Sequence, residues 1–201
     1  MRNVRGSKHR HAWAAVLART AGLTGCGYNR IQTLDENVNK AKQNIAVQLQ
    51  RRADLIPNYV EVVRGVAKQE SDVFTAIADA RARLAGAAKP DGSLNEMASA
   101  ANQLNGALSR LLVIQENYPQ LRSMESFRGL SDELAGSENR VATARTDYNT
   151  IVNEYNEYIR RFPQVLTAKV MGMKARDYFQ LESAEAAKAP KVDLTTPKKS
   201  P

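Results

Sequence analysis

Cysteine and histidine are scarce in this 201-residue chain, and all of them lie in its first 26 residues. The single cysteine is Cys26, and the two histidines are His9 and His11. From residue 27 onward the sequence therefore excludes Ser–His and Cys–His nucleophile pairs, zinc sites with these ligands, and disulfides. It also contains no Gly-rich phosphate loop and no Glu-x-x-His di-metal motif. We expect no enzymatic activity, no catalytic residue, no metal and no cofactor.

The central part of the chain carries no net charge. The formal net charge of +8 comes from the two ends, because residues 1–25 carry five basic and no acidic residues and residues 188–201 carry a net +3. Residues 26–187 balance 20 basic against 20 acidic residues. A nucleic-acid interface needs clustered Lys and Arg on one face. We therefore expect no nucleic-acid partner.

The first 25 residues are typical of a bacterial secretory signal. A basic stretch over residues 1–11 is followed by an apolar run over residues 12–18, which is too short to span a hydrocarbon core of about 30 Å. The string Leu23-Thr24-Gly25-Cys26 resembles a lipoprotein box, which implies acylation of Cys26 and a membrane anchor. The alternative is an ordinary reduced cysteine in a basic tail.

This resemblance implies a location in the cell envelope, on a periplasmic or outer-surface face. Gly27, rather than Asp, follows Cys26. In a bacterium with two membranes, this pattern resembles that of lipoproteins sent to the outer membrane. We expect residues 1–25 to be a signal peptide and residues 26–181 to form the folded body. Residues 182–201, rich in Lys, Pro and Ala, are expected to form a flexible tail.

Apolar residues follow a half-heptad spacing along four long stretches, which predicts helices rather than strands. Each helix alone would expose its apolar seam, so the four are expected to pack on one another. The sequence predicts an all-α, elongated antiparallel four-helix bundle with coiled-coil-like seams, a disordered leader and a disordered tail. The seam positions are Ile31, Leu34, Val38, Ala41, Ile45; Tyr59, Val63, Val66, Val73, Ile77, Ala80, Leu84; Leu94, Met97, Ala101, Leu104, Leu108, Leu111; and Phe127, Leu130, Leu134, Ser137, Val141, Ala144, Tyr148, Ile151, Tyr155, Tyr158, Phe162.

Prolines mark the expected interruptions of these helices. Pro57 lies inside the first pattern and predicts a kink or break near Ile56. Pro119 and Pro163 predict helix ends, the latter closing a helix of about 40 residues, or about 60 Å. A further amphipathic segment is expected over residues 164–181.

Two groups of residues are candidates for a functional role. Arg51, Arg52 and Asp54, with Asn58 beyond Pro57, would form a recognition site or would satisfy the carbonyls that the proline leaves free; we favour the second interpretation.

The second group consists of two Tyr–Asn pairs that repeat after seven residues, Tyr148-Asn149 and Tyr155-Asn156. They would form an aromatic ligand-binding stripe, or a buried network in which hydroxyls and amides bridge to a facing helix and fix its register. We favour the network.

Seven short strings in this chain share their order and spacing with one protein family. They lie at residues 47–58 (VQLQRRADLIPN), 116–121 (ENYPQL), 138–140 (ENR), 144–145 (AR), 148–149 (YN), 155–156 (YN) and 189–192 (APKV). These strings resemble those of LemA proteins, over nearly the whole chain after residue 27. The resemblance implies a four-helix bundle attached to a membrane, with no established enzymatic activity and no catalytic residues. Many LemA proteins carry a membrane-spanning amino-terminal helix, whereas this chain has the lipobox-like cysteine.

Three functions are compatible with these observations. The preferred hypothesis is a non-enzymatic, membrane-anchored scaffold that engages other proteins and whose residual apolar surface would allow homo-oligomers. The second is a periplasmic module that binds a peptide or lipid between its helices, and a distant third is a carboxylate-dependent hydrolase. A cavity of about 300 Å³ or more with apolar walls and convergent polar groups would favour a binding module. A hydrolase would place two carboxylates of perturbed ionisation in that cavity.

Overall fold

The computed structural model describes the backbone of residues 5–89 and 91–180, and the side chains from residue 27 onward except Leu112. Within these ranges all regular structure is α-helical, which confirms the all-α prediction. The helices are α1 (Arg5–Val66), α2 (Ser71–Ala87), α3 (Leu94–Asn117), α4 (Pro119–Ser123), α5 (Glu125–Arg160) and α6 (Gln164–Val170).

The long antiparallel pair of α1 and α5 forms the axis of the fold. Arg30 of α1 forms an ion pair with Glu154 near the end of α5. At the opposite end of the pair, the rings of Tyr59 and Phe127 lie 5.2 Å apart between their centroids. The two helices therefore run alongside each other from about residue 30 to residue 59 of α1.

The two remaining long helices, α2 and α3, pack on each other and cover only part of α1. Their side-chain contacts with α1 reach Arg52, Ala53 and Arg64, all in its carboxyl-terminal part. The arrangement is therefore an α1–α5 pair with an α2–α3 hairpin near one end, and the regular four-helix bundle that the sequence predicted is not confirmed.

The predicted apolar seams form the core. In α1 the buried positions include Ile31, Leu34, Val38 and Ile45, in the predicted order. The predicted α5 seam is mostly buried between Phe127 and Tyr155, although three of its members there are only half-buried, namely Leu130, Leu134 and Ile151. Its last predicted member, Phe162, lies outside the helix and is exposed. The half-heptad pattern thus identified the buried faces correctly up to the end of α5.

Of the kink or break predicted near Ile56, the break does not occur, because α1 continues through Pro57 to Val66. Proline has no N–H, so the carbonyl of Ala53 one turn earlier loses its helical partner. The Nε–H of Arg81 in α2 donates to this carbonyl at 2.8 Å. A side chain from a neighbouring helix therefore replaces the missing backbone donor.

The chain termini also differ from the prediction. Arg5 already belongs to α1, so the backbone of the leader is helical rather than disordered from that residue. The further amphipathic segment expected over residues 164–181 begins with a short helix, α6, which is followed by an extended strap that we define as residues 173–180. The tail over residues 182–201 and the side chain of Cys26 lie outside the described part, and the signal peptide stays a prediction.

Replacing Arg81 by alanine tests the repair at Pro57. We expect Arg81→Ala to lower the free energy of unfolding by about 1 kcal/mol, because the Ala53 carbonyl loses its donor. Pro57→Ala restores a backbone N–H, so in that background Arg81→Ala should cost clearly less. Urea denaturation of the four chains measures the difference. Arg83→Ala, which removes a surface bond to Gln103, is the matched control; equal losses for Arg81→Ala in both backgrounds would contradict this account.

Candidate functional site

Two asparagines of α5 hold the strap by its backbone. The amide of Asn156 donates to the carbonyl of Arg176 at 2.9 Å, and its oxygen accepts the N–H of the same residue at 2.8 Å. Asn149 binds Phe179 in the same way, at 3.1 and 2.8 Å. Each carboxamide therefore satisfies both backbone groups of one strap residue.

The repeat on the helix matches the repeat on the strap. Asn149 and Asn156 are separated by seven residues of α5, which is about 10.5 Å at the helical rise. Arg176 and Phe179 are separated by three residues of extended chain, which is about 10 Å. A heptad of helix thus has nearly the same length as a tripeptide of strap, and the strap runs antiparallel to α5.

The tyrosines of the same pairs add one hydrogen bond each. Tyr148 donates to the carbonyl of Asp177 at 2.9 Å, and Tyr155 to that of Lys174 at 3.1 Å. Burial raises the pKa of Tyr148 to about 12, so its hydroxyl stays a donor at neutral pH. The network that the sequence predicted is present, but its partner is the extended strap and not a facing helix. We call these four side chains the Tyr–Asn ladder.

Two strap side chains anchor it further. Phe179 is 5% exposed, and the guanidinium of Arg145 lies 5.0 Å from the centre of its ring. Arg176 donates to the carboxylate of Asp35 on α1 at 2.7 Å. Sequence analysis missed Asp35 and the strap residues, and it noticed Arg145 only as part of a LemA-like string.

Arg52 and Arg145 form an unusual pair of buried charges. Each residue is 6% exposed. Arg52 forms an ion pair with Glu138 and donates to the side chain of Asn105 at 2.7 Å. Burial lowers the pKa of both guanidinium groups, and the nearby Glu138 opposes this shift. Within the described part of the chain, Nε of Arg52 and both Nε and Nη2 of Arg145 have no hydrogen-bond partner.

A cavity of about 590 Å³ opens beside Arg52 between α1, α3 and α5. Its apolar walls include Tyr59, Leu108, Phe127 and Leu134. The charged groups that line it are three arginines and two carboxylates, namely Arg52, Arg122, Arg128, Asp132 and Glu138. Both its size and the mixture of apolar walls with convergent polar groups are typical of a ligand site.

The other residues predicted around Pro57 do not converge on this cavity. Arg51, Pro57 and Asn58 are exposed, and Asp54 accepts a hydrogen bond from Gln50 at 2.9 Å on the surface. The expectation that these side chains satisfy the carbonyl freed by Pro57 is wrong, since Arg81 does so. Of the predicted group, Arg52 alone lines the cavity.

The profile of the LemA family matches residues 41–194, a range that contains Arg52, the Tyr–Asn ladder and the strap. The chain belongs to the LemA family. The resemblance inferred from the sequence strings is therefore confirmed.

Magnetosome proteins are among the relatives of this LemA protein. MamQ 1 and MamQ 2 of Paramagnetospirillum magneticum (strain AMB-1) are each 29% identical to it, and MamQ of Magnetospirillum gryphiswaldense (strain MSR-1) is 27% identical. The similarity covers 78% of this chain and 66% of each relative. The chain thus spans just under two thirds of the length of these relatives.

Neither a metal-ligand cluster nor a membrane-spanning helix is present among the described residues. No group of three or more His, Cys, Asp or Glu side chains among them is arranged to hold a metal ion. Over the same part of the LemA chain, no helix combines the length and the apolar character needed to cross a bilayer.

Removing single groups of the ladder tests its contribution to stability. We expect Tyr155→Phe to lower the free energy of unfolding by about 1 kcal/mol, as a lost buried hydrogen bond does. Asn156→Ala removes two bonds to the strap and should cost more. Thermal and urea unfolding measure both, with Tyr28→Phe at a half-exposed tyrosine as the control. An unchanged thermal midpoint for Tyr155→Phe would mean that water replaces the bond without loss.

Proposed function

We propose that this LemA protein is a non-enzymatic, membrane-attached binding protein of the bacterial envelope. The cavity beside Arg52 carries the proposal, because its volume of about 590 Å³ lies within the range of ligand-binding sites. Family membership supports the absence of an enzymatic role. Glu138 has Arg52 as its charge partner, which gives no support to a hydrolase built on the carboxylates of this cavity.

The charges of the cavity favour an amphipathic ligand with one negative group. Three arginines face two carboxylates there, so one positive charge is left without a counterpart. Arg52 also offers a buried Nε–H that lacks a partner in the described residues. A ligand carboxylate would pair with the arginines that line the cavity, since hydrogen bonds between ions are the strong ones. The apolar walls suit an alkyl chain, and we propose a fatty carboxylate as the ligand class.

Attachment to a membrane is the second part of the proposal. The lipobox-like string before Cys26 supports acylation of its thiol, and two or three acyl chains would give a durable anchor. The relatives named as magnetosome proteins and the LemA family agree with a membrane setting. In a bacterium with two membranes, Gly27 after the cysteine supports the outer membrane.

A scaffold that engages other proteins is the second candidate, and the Tyr–Asn ladder favours it. The ladder binds an extended chain through six hydrogen bonds to its backbone. Such a site recognises an extended conformation more than a particular sequence. A strap from a second copy would meet the same contacts, which is how a homo-oligomer would arise.

Titration with dodecanoate, below its micelle concentration, tests the cavity. We expect it to bind at least tenfold more tightly than dodecanol, because only the carboxylate pairs with the arginines. Ser109→Trp at the cavity wall should abolish binding, and Val113→Trp, exposed on the same helix, should not. Calorimetry gives both affinities. Equal binding of acid and alcohol, or binding that survives Ser109→Trp, would contradict the proposed ligand site.

Fatty-acid labelling in cells tests the anchor. We expect the wild-type chain to incorporate an alkyne-tagged fatty acid and to sediment with membranes, because Cys26 carries the acyl chains. Cys26→Ser should lose the label and move to the soluble fraction. Unchanged sedimentation of the unlabelled variant would show that another part of the chain holds it to the membrane.

A further inference from the structure

Three large apolar side chains are exposed to solvent where α5 is joined to α6. Phe162, Leu166 and Val170 are 81%, 57% and 89% exposed. Leu166 and Val170 lie four residues apart in α6 and so share one of its faces, and Phe162 precedes that helix by two residues. We call residues 160–174 the α5–α6 corner. Exposed apolar clusters of this kind mark surfaces that contact a partner or a lipid.

The corner is also the basic part of an otherwise balanced body. Residues 160–174 contain four basic residues and no acidic residue, whereas residues 26–187 as a whole are neutral. All four side chains are exposed, and Arg161 alone among them forms an ion pair, with Glu157, in the described residues. The basic residues are Arg160, Arg161, Lys169 and Lys174.

The corner lies at the same end of the α1–α5 pair as Cys26. A methyl group placed on Gly27 would lie 3.6 Å from Cγ of Gln164, the first residue of α6. The ion pair between Arg30 and Glu154 fixes this end of α1 against α5 one turn further on. The backbone of Cys26, adjacent to Gly27, therefore lies at the same end of the fold as the corner. Leu166 and Val170 lie on the face of α6 opposite Gln164 and so point away from α1.

We propose that the α5–α6 corner is a membrane-contact surface that seats on a bilayer containing anionic lipids. Phe162, Leu166 and Val170 enter the boundary between headgroups and acyl chains, and the basic side chains around them meet the anionic headgroups. The inference rests on the proposed anchor at Cys26, whose acyl chains would hold the corner at the bilayer. An anchor on a single residue leaves the orientation of the bundle free, and this second contact fixes it.

The observations favour a bilayer over a protein partner. A protein interface is depleted of charge at its centre, whereas this cluster has cationic neighbours and no acidic residue within the corner. The corner also lies at the end of the α1–α5 pair that carries Cys26, the residue that would hold the lipid, and this supports a bilayer independently of charge.

Tryptophan quenching in tethered vesicles tests the proposal on the full chain. Trp13 is the single tryptophan, so Trp13→Phe gives a background in which Phe162→Trp is the sole emitter. Val113→Trp in the same background is the matched control, since Val113 is 59% exposed on α3. The thiol of Cys26 is coupled to a maleimide lipid in vesicles of phosphatidylglycerol and phosphatidylcholine whose acyl chains are brominated.

We expect bromine to quench the Phe162→Trp chain at least threefold more than the Val113→Trp chain, because only the corner enters the bilayer. Equal quenching of both chains, or of neither, would overturn the membrane-contact surface. In vesicles of phosphatidylcholine alone the difference should fall by at least half, and an unchanged difference would overturn the role of the anionic headgroups. Because the tether is supplied chemically, the result does not depend on acylation in cells, which the labelling of Cys26 tests separately.

Discussion

Burial of the apolar seam between α1 and α5 is the constraint on which the rest of this protein depends. Either helix alone would expose its apolar seam to water, so each depends on packing against the other for most of its length. Their antiparallel alignment brings the first and last parts of the folded sequence together, with Arg30 against Glu154 and Gly27 beside α6. The cavity, the strap and the α5–α6 corner all take their positions from this pair.

The interior of the pair carries more charge than a helical core usually tolerates. Glu138 pairs with Arg52 but not with Arg145, and several N–H groups of the two guanidinium groups lack partners in the described residues. Burying a charge costs free energy that only pairing and hydrogen bonding offset. The contact of Arg145 with the ring of Phe179 offsets part of this cost, and the contacts of Arg52 with Asn105 and Glu138 do the same for its charge. The remaining donors are a reason to look for an anion in the cavity next to Arg52.

Sequence reasoning recovered the features that depend on local pattern. The sequence predicted the seams of α1 and α5, the helix end before Pro163 and the importance of the two Tyr–Asn pairs. Each of these features follows from the spacing of residues or from a single residue type. It placed Arg52 among the candidate residues for the same reason. The four-helix bundle followed from the number of seams, which does not determine how the helices are arranged.

The features that were missed depend on contacts between distant parts of the chain. Nothing near Pro57 indicates that Arg81, from another helix, supplies the missing donor. The strap has no periodicity of its own, since its extended form is imposed by Asn149 and Asn156. The cavity arises from the way α3, α4 and α5 are placed around the carboxyl-terminal part of α1, which no local pattern encodes.

The match between a heptad of α5 and a tripeptide of the strap has a consequence for how this segment can evolve. Because the asparagines bind main-chain atoms, their bonds place no demand on the two side chains between Arg176 and Phe179. The number of residues between those two positions is constrained, since one insertion would move either Arg176 or Phe179 away from its asparagine. Substitutions at the two intervening positions should therefore be tolerated in related proteins, whereas insertions and deletions there should not.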